Sequence, residues 1–249
     1  MKNFNILYED MISSYSGNKK AVFVFGRFNP PTAGHEMLIN HAIGIAETEN
    51  RELFVFVSRG TGGKDKKKKI QNPLVFDDKV ELLDEVFPDV KFVTDPMAIN
   101  PYNAGYWLRD HGITNVKMVA GSDRIKEFTD GFKQYIGHED PKLDFGFKRF
   151  KVESVGEERD PDSDDISGIS ASRARELARI GNLDGFIQIL PANANRDMVE
   201  GLYTKIRARL RELDVEVLDP PEEDLGYKEP QTTFQTKGNI PQADHNPDA

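Results

Sequence analysis

The chain has 249 residues, which is enough for one sizeable α/β domain with an appendage and too few for two ordinary domains. Its 33 basic and 42 acidic residues give a formal charge of −9, so a nucleic-acid-coating role is disfavoured and no nucleic-acid partner is expected. The absence of cysteine excludes disulfides, thiolate zinc sites and a cysteine nucleophile, and it suits a reducing compartment. Since no apolar run reaches the roughly 18 residues of a membrane span, we expect a soluble, cytoplasmic protein with no membrane partner.

Strand and helix patterns alternate along most of the chain, after a mildly amphipathic leader at residues 1–19. Strands are predicted at Ala21 to Phe25, Leu53 to Val57, Lys91 to Thr94, Val116 to Ala120 and Phe150 to Val155. Helices are predicted from about Gly34, along the face of Phe76, Val80, Leu83 and Phe87, at Ala104 to His111 and at Arg124 to Tyr135. The segment Arg59 to Asn72 is predicted to be a polar loop.

This alternation predicts an α/β fold, a Rossmann-like doubly wound parallel sheet whose central strand is the nearly continuous apolar run at Ala21 to Phe25. After Gly168 the pattern becomes helical, with helices predicted at Ala171 to Ile180, Leu183 to Leu190 and Arg196 to Leu213. We therefore expect a main domain at residues 20–190, a helical C-terminal part at residues 191–218 and a flexible, disordered acidic tail at residues 219–249. The tail has few apolar groups to offset the entropy lost on ordering.

The segment from Gly26 to His35 follows the first predicted strand, at the carboxyl edge where doubly wound sheets bind ligands. Small residues let a phosphate approach the backbone, prolines stiffen the turn, and a helix N-terminus near Gly34 attracts anions. These features predict a phosphate-binding loop in which His35 donates a hydrogen bond to a phosphate oxygen. A tight turn that carries a surface histidine is the alternative.

A second group of phosphate-binding residue types opens the helix predicted from Ala171. One face carries Ser172, Arg175 and Arg179, and the opposite face carries Ala174, Leu177 and Ala178. An arginine here offers a fixed cationic fork to the oxygens of a leaving pyrophosphate, and Ser170 or Ser172 adds a hydroxyl at the helix start. The alternative is an ordinary capped surface helix.

Two further segments have open interpretations. The segment Arg59 to Lys69 combines glycines with five lysines, which suits a lid over a triphosphate, a patch for an anionic partner or a solvated loop. Trp107 is placed either to stack on the ring of an acceptor or to pack in the core of an amphipathic helix. No protein-bound metal is expected, because the histidines lack metal-ligand spacing and the acidic cluster Asp160 to Asp165 has the pattern of a solvated loop.

Taken in order, three blocks resemble the cytidylyltransferase-like, or HIGH-motif, nucleotidyltransferase superfamily. Gly26-x-Phe28-x-Pro30-x-Thr32-x-Gly34-His35 is similar to its signature loop. Ile169-Ser170-Ala171-Ser172-Arg173-Ala174-Arg175 is similar to its later Ile-Ser-Ser-Thr-x-x-Arg block, and Gly121-Ser122-Asp123 is a weaker match to a Gly-x-Asp near the nucleotide. The resemblance covers residues 20 to about 185 and implies a nucleotidyltransferase fold and activity.

The resemblance also implies a mechanism for the reaction. A nucleoside triphosphate that arrives with Mg²⁺ binds at Gly26, Arg27, Phe28, Gly34, Gly121, Asp123, Ile169, Ser170 and Ser172. A phosphorylated small-molecule acceptor then attacks the α-phosphorus and releases pyrophosphate. Catalysis rests on positioning and on charge stabilisation by His35, Arg175 and Thr32, with Arg27 as a further candidate.

The acceptor stays open, because Thr32 stands where many members of the superfamily carry histidine. The Thr-x-Gly-His form resembles phosphopantetheine adenylyltransferases, and Gly26-Arg27-Phe28 resembles nicotinamide-mononucleotide adenylyltransferases, so transfer of AMP from ATP is expected. One alternative is a cytidylyltransferase that uses CTP. Another is a catalytically weak fold that serves as a binding or assembly module, with the leader and the tail docking on a protein partner or a second copy.

Overall fold

The computed structural model describes residues 19–60, 63–155 and 170–215. These residues form a parallel sheet with the strand order β3-β2-β1-β4-β5. Its strands are β1 (Lys19–Gly26), β2 (Glu52–Val57), β3 (Phe92–Val93), β4 (Ile113–Gly121) and β5 (Arg149–Val155). The predicted α/β fold with a doubly wound parallel sheet is confirmed.

Helices connect the strands and follow the last of them. They are α1 (Ala33–Glu49), α2 (Lys66–Gln71), α3 (Phe76–Val86), α4 (Pro101–Asp110), α5 (Ile125–Lys133), α6 (Ala171–Ile180), α7 (Leu183–Ile189) and α8 (Arg196–Val215). A 3₁₀ turn at Ser122–Arg124 joins β4 to α5. The three helices predicted after Gly168 are confirmed by α6, α7 and α8.

Side chains of β1 alternate between two buried layers, as a strand covered on both faces requires. Val22 and Val24 lie in a core that α1, α3, α6, α7 and α8 complete. Ala21 and Phe23 lie in a second core, on the other face, that α4 and α5 complete. All four side chains are buried, which explains the nearly continuous apolar sequence of this strand.

The winding direction of the sheet reverses between β1 and β4. From β1 the chain proceeds to β2 and β3 on one side, and then crosses to β4 and β5 on the other. Ligands of such sheets bind beyond the carboxyl ends of the strands at this reversal. The segment after Gly26 and the turn after Gly121 therefore lie at the position where a ligand is expected.

The segment Arg59 to Asn72, which the sequence predicts to be a loop, contains helix α2. The carboxylate of Asp65 caps this helix by accepting a hydrogen bond from the Lys68 amide at 3.2 Å. Lysine has a good helix propensity, but Ile70 is the single apolar residue within α2, so no apolar periodicity indicates the helix.

The buried face of α3 also differs from the prediction. It carries Lys79, Leu82, Leu83 and Val86, whereas Phe76 and Val80 are only partly buried. A lysine lies within this buried stripe because its ammonium group finds hydrogen-bond acceptors at the edge of the sheet. Hydrophobic periodicity places a lysine on the solvent side of a helix. The predicted buried face of α3 is therefore rotated about the helix axis relative to the observed one.

Several sequence predictions fall outside the described residues. They concern residues 1–18 of the leader, the tail from residue 216, the acidic cluster Asp160 to Asp165 and Ile169. Within residues 19–60, 63–155 and 170–215, no helix is long and apolar enough to cross a membrane.

Candidate active site

A cavity of about 520 Å³ opens at the carboxyl ends of β1 and β4. Predicted site residues from three separate stretches of the chain line it: Gly26, Arg27, Phe28, Thr32, Gly34, His35, Gly121, Asp123, Ser170, Ser172 and Arg175. Ile169, which completes the predicted set, lies outside the described residues. The fold thus brings together segments that are about 50 to 150 residues apart in sequence. The cavity volume is within the range of small-molecule pockets.

Two helices point their N-termini into this cavity. In α1 the first intrahelical bonds run from the amides of His35 and Glu36 to the Thr32 carbonyl at 2.9 and 3.0 Å. In α6 the hydroxyl of Ser170 accepts from the Arg173 amide at 3.1 Å. The amides that precede these bonds have no acceptor within their helices. The positive ends of two helix dipoles therefore meet at a position suited to an anion.

The imidazole of His35 has a defined tautomer. Its Nδ1 lies 3.1 Å from the backbone nitrogen of Thr32 and 2.9 Å from the Thr32 hydroxyl oxygen. A backbone N–H can only donate, so Nδ1 must accept and the ring proton resides on Nε2. Nε2 makes no hydrogen bond to any described residue, and the ring lines the cavity. The Nε2–H group is therefore available to a ligand.

His35 is neutral at physiological pH. Burial, followed by the positive charges of Arg27 and Arg175, lowers the pKa of His35 from 6.5 to about 4. A neutral imidazole donates a hydrogen bond to a phosphate oxygen without carrying a positive charge. The arrangement therefore suits a fixed donor rather than a general acid.

Thr32 contacts the His35 imidazole on the side of Nδ1. Its side chain is buried, and its hydroxyl is within hydrogen-bond distance of His35 Nδ1. The sequence predicts Thr32 as one of the catalytic residues. In the structure its amide and hydroxyl lie against Nδ1 of His35 and hold the imidazole in one orientation and one tautomer.

Arg175 joins α6 to the loop after β1. Its Nη1 donates to the Asn29 carbonyl at 2.6 Å, and its Nη2 donates to the Ser172 hydroxyl at 2.9 Å. Burial and the charge of Arg27 lower the pKa of Arg175 to about 10, so Arg175 remains charged at neutral pH. Neither arginine forms an ion pair with a described residue, and the amide oxygen of Gln71 lies 3.4 Å from Arg27 Nη1. Two close cations without a carboxylate partner favour an anionic ligand.

Arg179, which the sequence places on the same helix face as Arg175, does not line the cavity. Its Nε lies 3.1 Å from a carboxylate oxygen of Asp214 in α8. The predicted polar face of α6 therefore makes two kinds of contact. Ser172 and Arg175 line the cavity, and Arg179 in the last turn forms an ion pair with α8.

The loop after β1 is held in place by two buried residues, Asn29 and Lys79, whose roles no sequence motif indicates. The side-chain oxygen of Asn29 accepts from the Leu74 amide at 3.0 Å, and its side-chain nitrogen donates to the Leu74 carbonyl at 3.1 Å. Lys79 donates to the carbonyls of Ser58 at 2.5 Å and Arg27 at 3.2 Å. The contacts of the loop itself connect positions that are 45 and 52 residues apart, so no local pattern indicates them. Lys79 precedes Leu82 and Leu83 by three and four positions and so lies on the buried face of α3. This spacing is a signal in the sequence that could have indicated its burial.

The aromatic segment of α4 contributes Tyr102 to the cavity, not Trp107. Trp107 packs edge-on against Phe54 at 5.2 Å and Phe56 at 5.4 Å, and its Nε1 donates to Asp95 at 3.1 Å. The structure thus favours the predicted alternative in which Trp107 packs in an amphipathic helix.

Comparison with known proteins gives no match to any family model or to any curated protein. Among solved structures, nicotinic acid mononucleotide adenylyltransferase of Plasmodium falciparum complexed with NaAD is similar, with a TM-score of 0.50 and 17% identity over 80% of this chain and 100% of that chain. The same enzyme complexed with APC has a TM-score of 0.48 and 17% identity over 75% and 98% of the two chains. Thermotoga maritima TmcAL bound with alpha-thio ATP has a TM-score of 0.41 and 11% identity over 78% and 56%. The similarity at a TM-score of 0.50 shows that this chain shares the fold of that adenylyltransferase, which is the fold that the sequence resemblance implies.

Proposed function

We propose that the protein is a nucleotidyltransferase that transfers AMP from ATP to a phosphorylated small-molecule acceptor and releases pyrophosphate. The observation that carries the proposal is the composition of the cavity. Two helix N-termini, the cations of Arg27 and Arg175 and the neutral donor of His35 meet there, and none of these cations is paired with a described carboxylate. Such an arrangement attracts a polyanion such as a triphosphate.

In the proposed reaction a phosphate oxygen of the acceptor attacks the α-phosphorus of ATP. A new P–O bond forms, and the bond between the α-phosphorus and the oxygen that bridges to the β-phosphorus breaks. Pyrophosphate leaves with the bonding electrons, and no covalent enzyme intermediate is required. Catalysis then rests on positioning and on stabilisation of charge by His35 Nε2–H, Arg175 and the N-terminus of α1.

Mg²⁺ enters this proposal as the counterion of the triphosphate. Within the described ranges no three histidine, aspartate or glutamate side chains cluster as metal ligands. In the proposal the oxygens of the triphosphate supply most of the Mg²⁺ ligands, because Mg²⁺ in such sites is held by phosphates and water with one or two carboxylates at most.

A pyrophosphate-release assay tests the reaction. The full chain is incubated with Mg²⁺, each of the four nucleoside triphosphates and a series of phosphorylated acceptors. We expect release with ATP, and we expect His35→Ala to lower the rate by about 100-fold or more, as loss of a single transition-state donor does. His41→Ala, which removes an exposed histidine from the same helix, serves as the control and keeps the rate. Equal rates for wild type and His35→Ala would refute the assigned role of His35.

Thermal unfolding with each triphosphate separates the proposed enzyme from the two alternatives. A triphosphate that binds the folded state raises the melting temperature by mass action. A selective shift with ATP supports adenylyl transfer, and a selective shift with CTP supports cytidylyl transfer instead. No shift with any triphosphate supports the assembly module and contradicts the proposed function.

A further inference from the structure

We propose that Lys79 is a positioning residue for the candidate active site, and that it sets the orientation of His35 through the backbone of Arg27 and the ring of Phe28. The inference rests on the proposed function only because that function makes His35 a catalytic group. The chain of contacts that supports it is a property of the fold.

The first step is the placement of the Lys79 ammonium group. The side chain is 1% exposed and belongs to the buried face of α3. Its Nζ donates to the carbonyl of Ser58, beyond the end of β2, and to the carbonyl of Arg27, in the loop after β1. It forms no ion pair with a described carboxylate, and burial followed by the charge of Arg59 lowers its pKa to about 8. A cation at such a position is costly to bury, so its hydrogen bonds to the two strand ends are the feature that keeps it there.

The second step is the backbone that follows the Arg27 carbonyl. This carbonyl belongs to the peptide unit that joins Arg27 to Phe28, and Phe28 has a φ of 47°. Aromatic residues rarely adopt this left-handed conformation, and it persists only where surrounding contacts fix it. Lys79 fixes the peptide before Phe28, and the paired hydrogen bonds of Asn29 to Leu74 fix the residue after it.

The third step connects Phe28 to His35. The Phe28 ring is completely buried, and its centroid lies 4.9 Å from that of the His35 imidazole. It also occupies the space beside Gly26, where an added Cβ would lie 2.5 Å from the ring. A change in the backbone of Phe28 would move the ring away from the imidazole that it supports. Lys79 therefore acts on His35 through one peptide unit and one aromatic ring.

Nuclear magnetic resonance of the His35 imidazole in the full chain distinguishes positioning from simple stabilisation. The His35→Ala spectrum assigns the signals among the five histidines of the chain. Wild type is expected to show the Nε2–H tautomer together with the ring-current shift from Phe28. Lys79→Met, which removes the N–H donors and keeps most of the apolar stem, is expected to populate both tautomers and to lose part of that shift.

Lys205→Met is the matched control. Lys205 of α8 pairs with Asp78, which is the neighbour of Lys79 on α3, and within the described residues it does not hydrogen-bond to the loop after β1. This variant should retain the wild-type His35 signals.

Lys79→Arg is the second variant, because its guanidinium N–H groups approach the two carbonyls with a different geometry. Its His35 signals should shift in the same direction as those of Lys79→Met, but less.

Enzyme kinetics provide a second readout. We expect Lys79→Met to lower kcat by about 10-fold or more, with a smaller change in the KM for the triphosphate, because a misplaced donor acts mainly on the transition state. His35 signals that match wild type in either folded Lys79 variant would overturn the inference. If wild type turns over no triphosphate, the proposed function fails, whereas the resonance experiment still decides the role of Lys79.

Discussion

His35 shows how a single residue receives its properties from its surroundings. Its Nδ1 faces the Thr32 amide, its ring lies on Phe28, and Arg27 and Arg175 add positive charge nearby. The Thr32 amide disfavours a proton on Nδ1, and burial together with the two arginine charges disfavours a second proton on the ring. The result is a neutral ring with one available donor, in a cavity that otherwise carries cations. A triphosphate bound there would meet a fixed hydrogen-bond donor, and its negative charge would raise the pKa of His35.

The lowered pKa of His35 predicts how stability depends on pH. Between the folded value of about 4 and the ordinary 6.5, the unfolded chain binds more protons at this residue than the folded chain does. The contribution of His35 to the free energy of unfolding is therefore complete above pH 6.5 and declines as the pH falls towards 4, by at most about 3 kcal/mol.

Urea unfolding of wild type and His35→Gln across this pH range measures the effect. The difference in unfolding free energy between the two proteins should change in favour of the variant as the pH falls. His41→Gln, on the exposed side of the same helix, should follow wild type at every pH. A difference between wild type and His35→Gln that stays constant from pH 7 to pH 4 contradicts the assignment.

Gly26 provides a second test at the scale of one residue. An alanine Cβ at this position would lie 2.5 Å from the ring of Phe28, which is completely buried. We expect Gly26→Ala to lower the free energy of unfolding by about 1–3 kcal/mol. Gly44→Ala in α1, where nothing lies within 4 Å of an added Cβ, should instead raise it by about 0.5–1 kcal/mol. Equal effects in chemical denaturation would show that Phe28 does not occupy this space.

Arg175 and Arg179 form a matched pair on one helix. The planar fork of Arg175 directs one N–H group to the Asn29 carbonyl and another to the Ser172 hydroxyl, and the single ammonium group of a lysine at this position would not reproduce that geometry. Arg175→Lys should therefore lower the rate of pyrophosphate release by about 10-fold or more. Arg179→Lys alters an exposed ion pair with Asp214 and should leave the rate unchanged. A similar loss in both variants would mean that the helix, not the guanidinium of Arg175, is responsible.

At the scale of elements, the sequence predicts best where burial and periodicity coincide. The strand at Ala21 to Phe25 and the helix at Ala171–Ile180 were both predictable, because apolar side chains recur at the spacing that each structure requires. Helix α2 has no such spacing. The support of the loop after β1 was equally inaccessible, since Asn29 and Lys79 act through backbone groups that are distant in sequence.

Helix α2 belongs to the rim of the cavity. Gln71 at its end lines the cavity, and Lys67 and Lys68 precede Gln71 by four and three positions, so they share its side of the helix. Both lysines are exposed, and neither pairs with an acidic residue of the described ranges. A rim with unpaired positive charge raises the local concentration of a triphosphate.

Substitution of both Lys67 and Lys68 by glutamine tests this role. We expect the KM for the triphosphate to rise several-fold at low ionic strength, and the effect to fade as salt screens the exposed charges. The control is the same double change at Lys19 and Lys20. These residues begin β1 and lie at the amino ends of the strands, away from the carboxyl ends where the cavity opens. A salt-independent effect, or an equal effect of the control pair, contradicts a role of the α2 rim in steering.

At the scale of the whole molecule, the cavity depends on both ends of the described chain. The first turn of α1 supplies His35, whereas Arg175 comes from α6, which packs on α7 and α8 through a shared core. Ala174 and Leu177 of α6 and Ile206 of α8 belong to the same buried cluster as Val22 of β1. The C-terminal helices thus fix the distance of Arg175 from the loop that it contacts.

Ile206 tests how the C-terminal core supports the molecule. Its side chain is 0% exposed in α8, so Ile206→Ala should lower the free energy of unfolding by about 2–5 kcal/mol through lost burial and a cavity. Ile180→Ala at the end of α6, where the side chain is 61% exposed, should change it by about 0.5 kcal/mol or less.

Ile206 does not line the active-site cavity. ATP at about 100 times its dissociation constant should therefore add about 2.7 kcal/mol to the free energy of unfolding of both wild type and Ile206→Ala. Urea unfolding with and without ATP measures both quantities, and a much smaller increment in Ile206→Ala would show that α8 shapes the binding site directly.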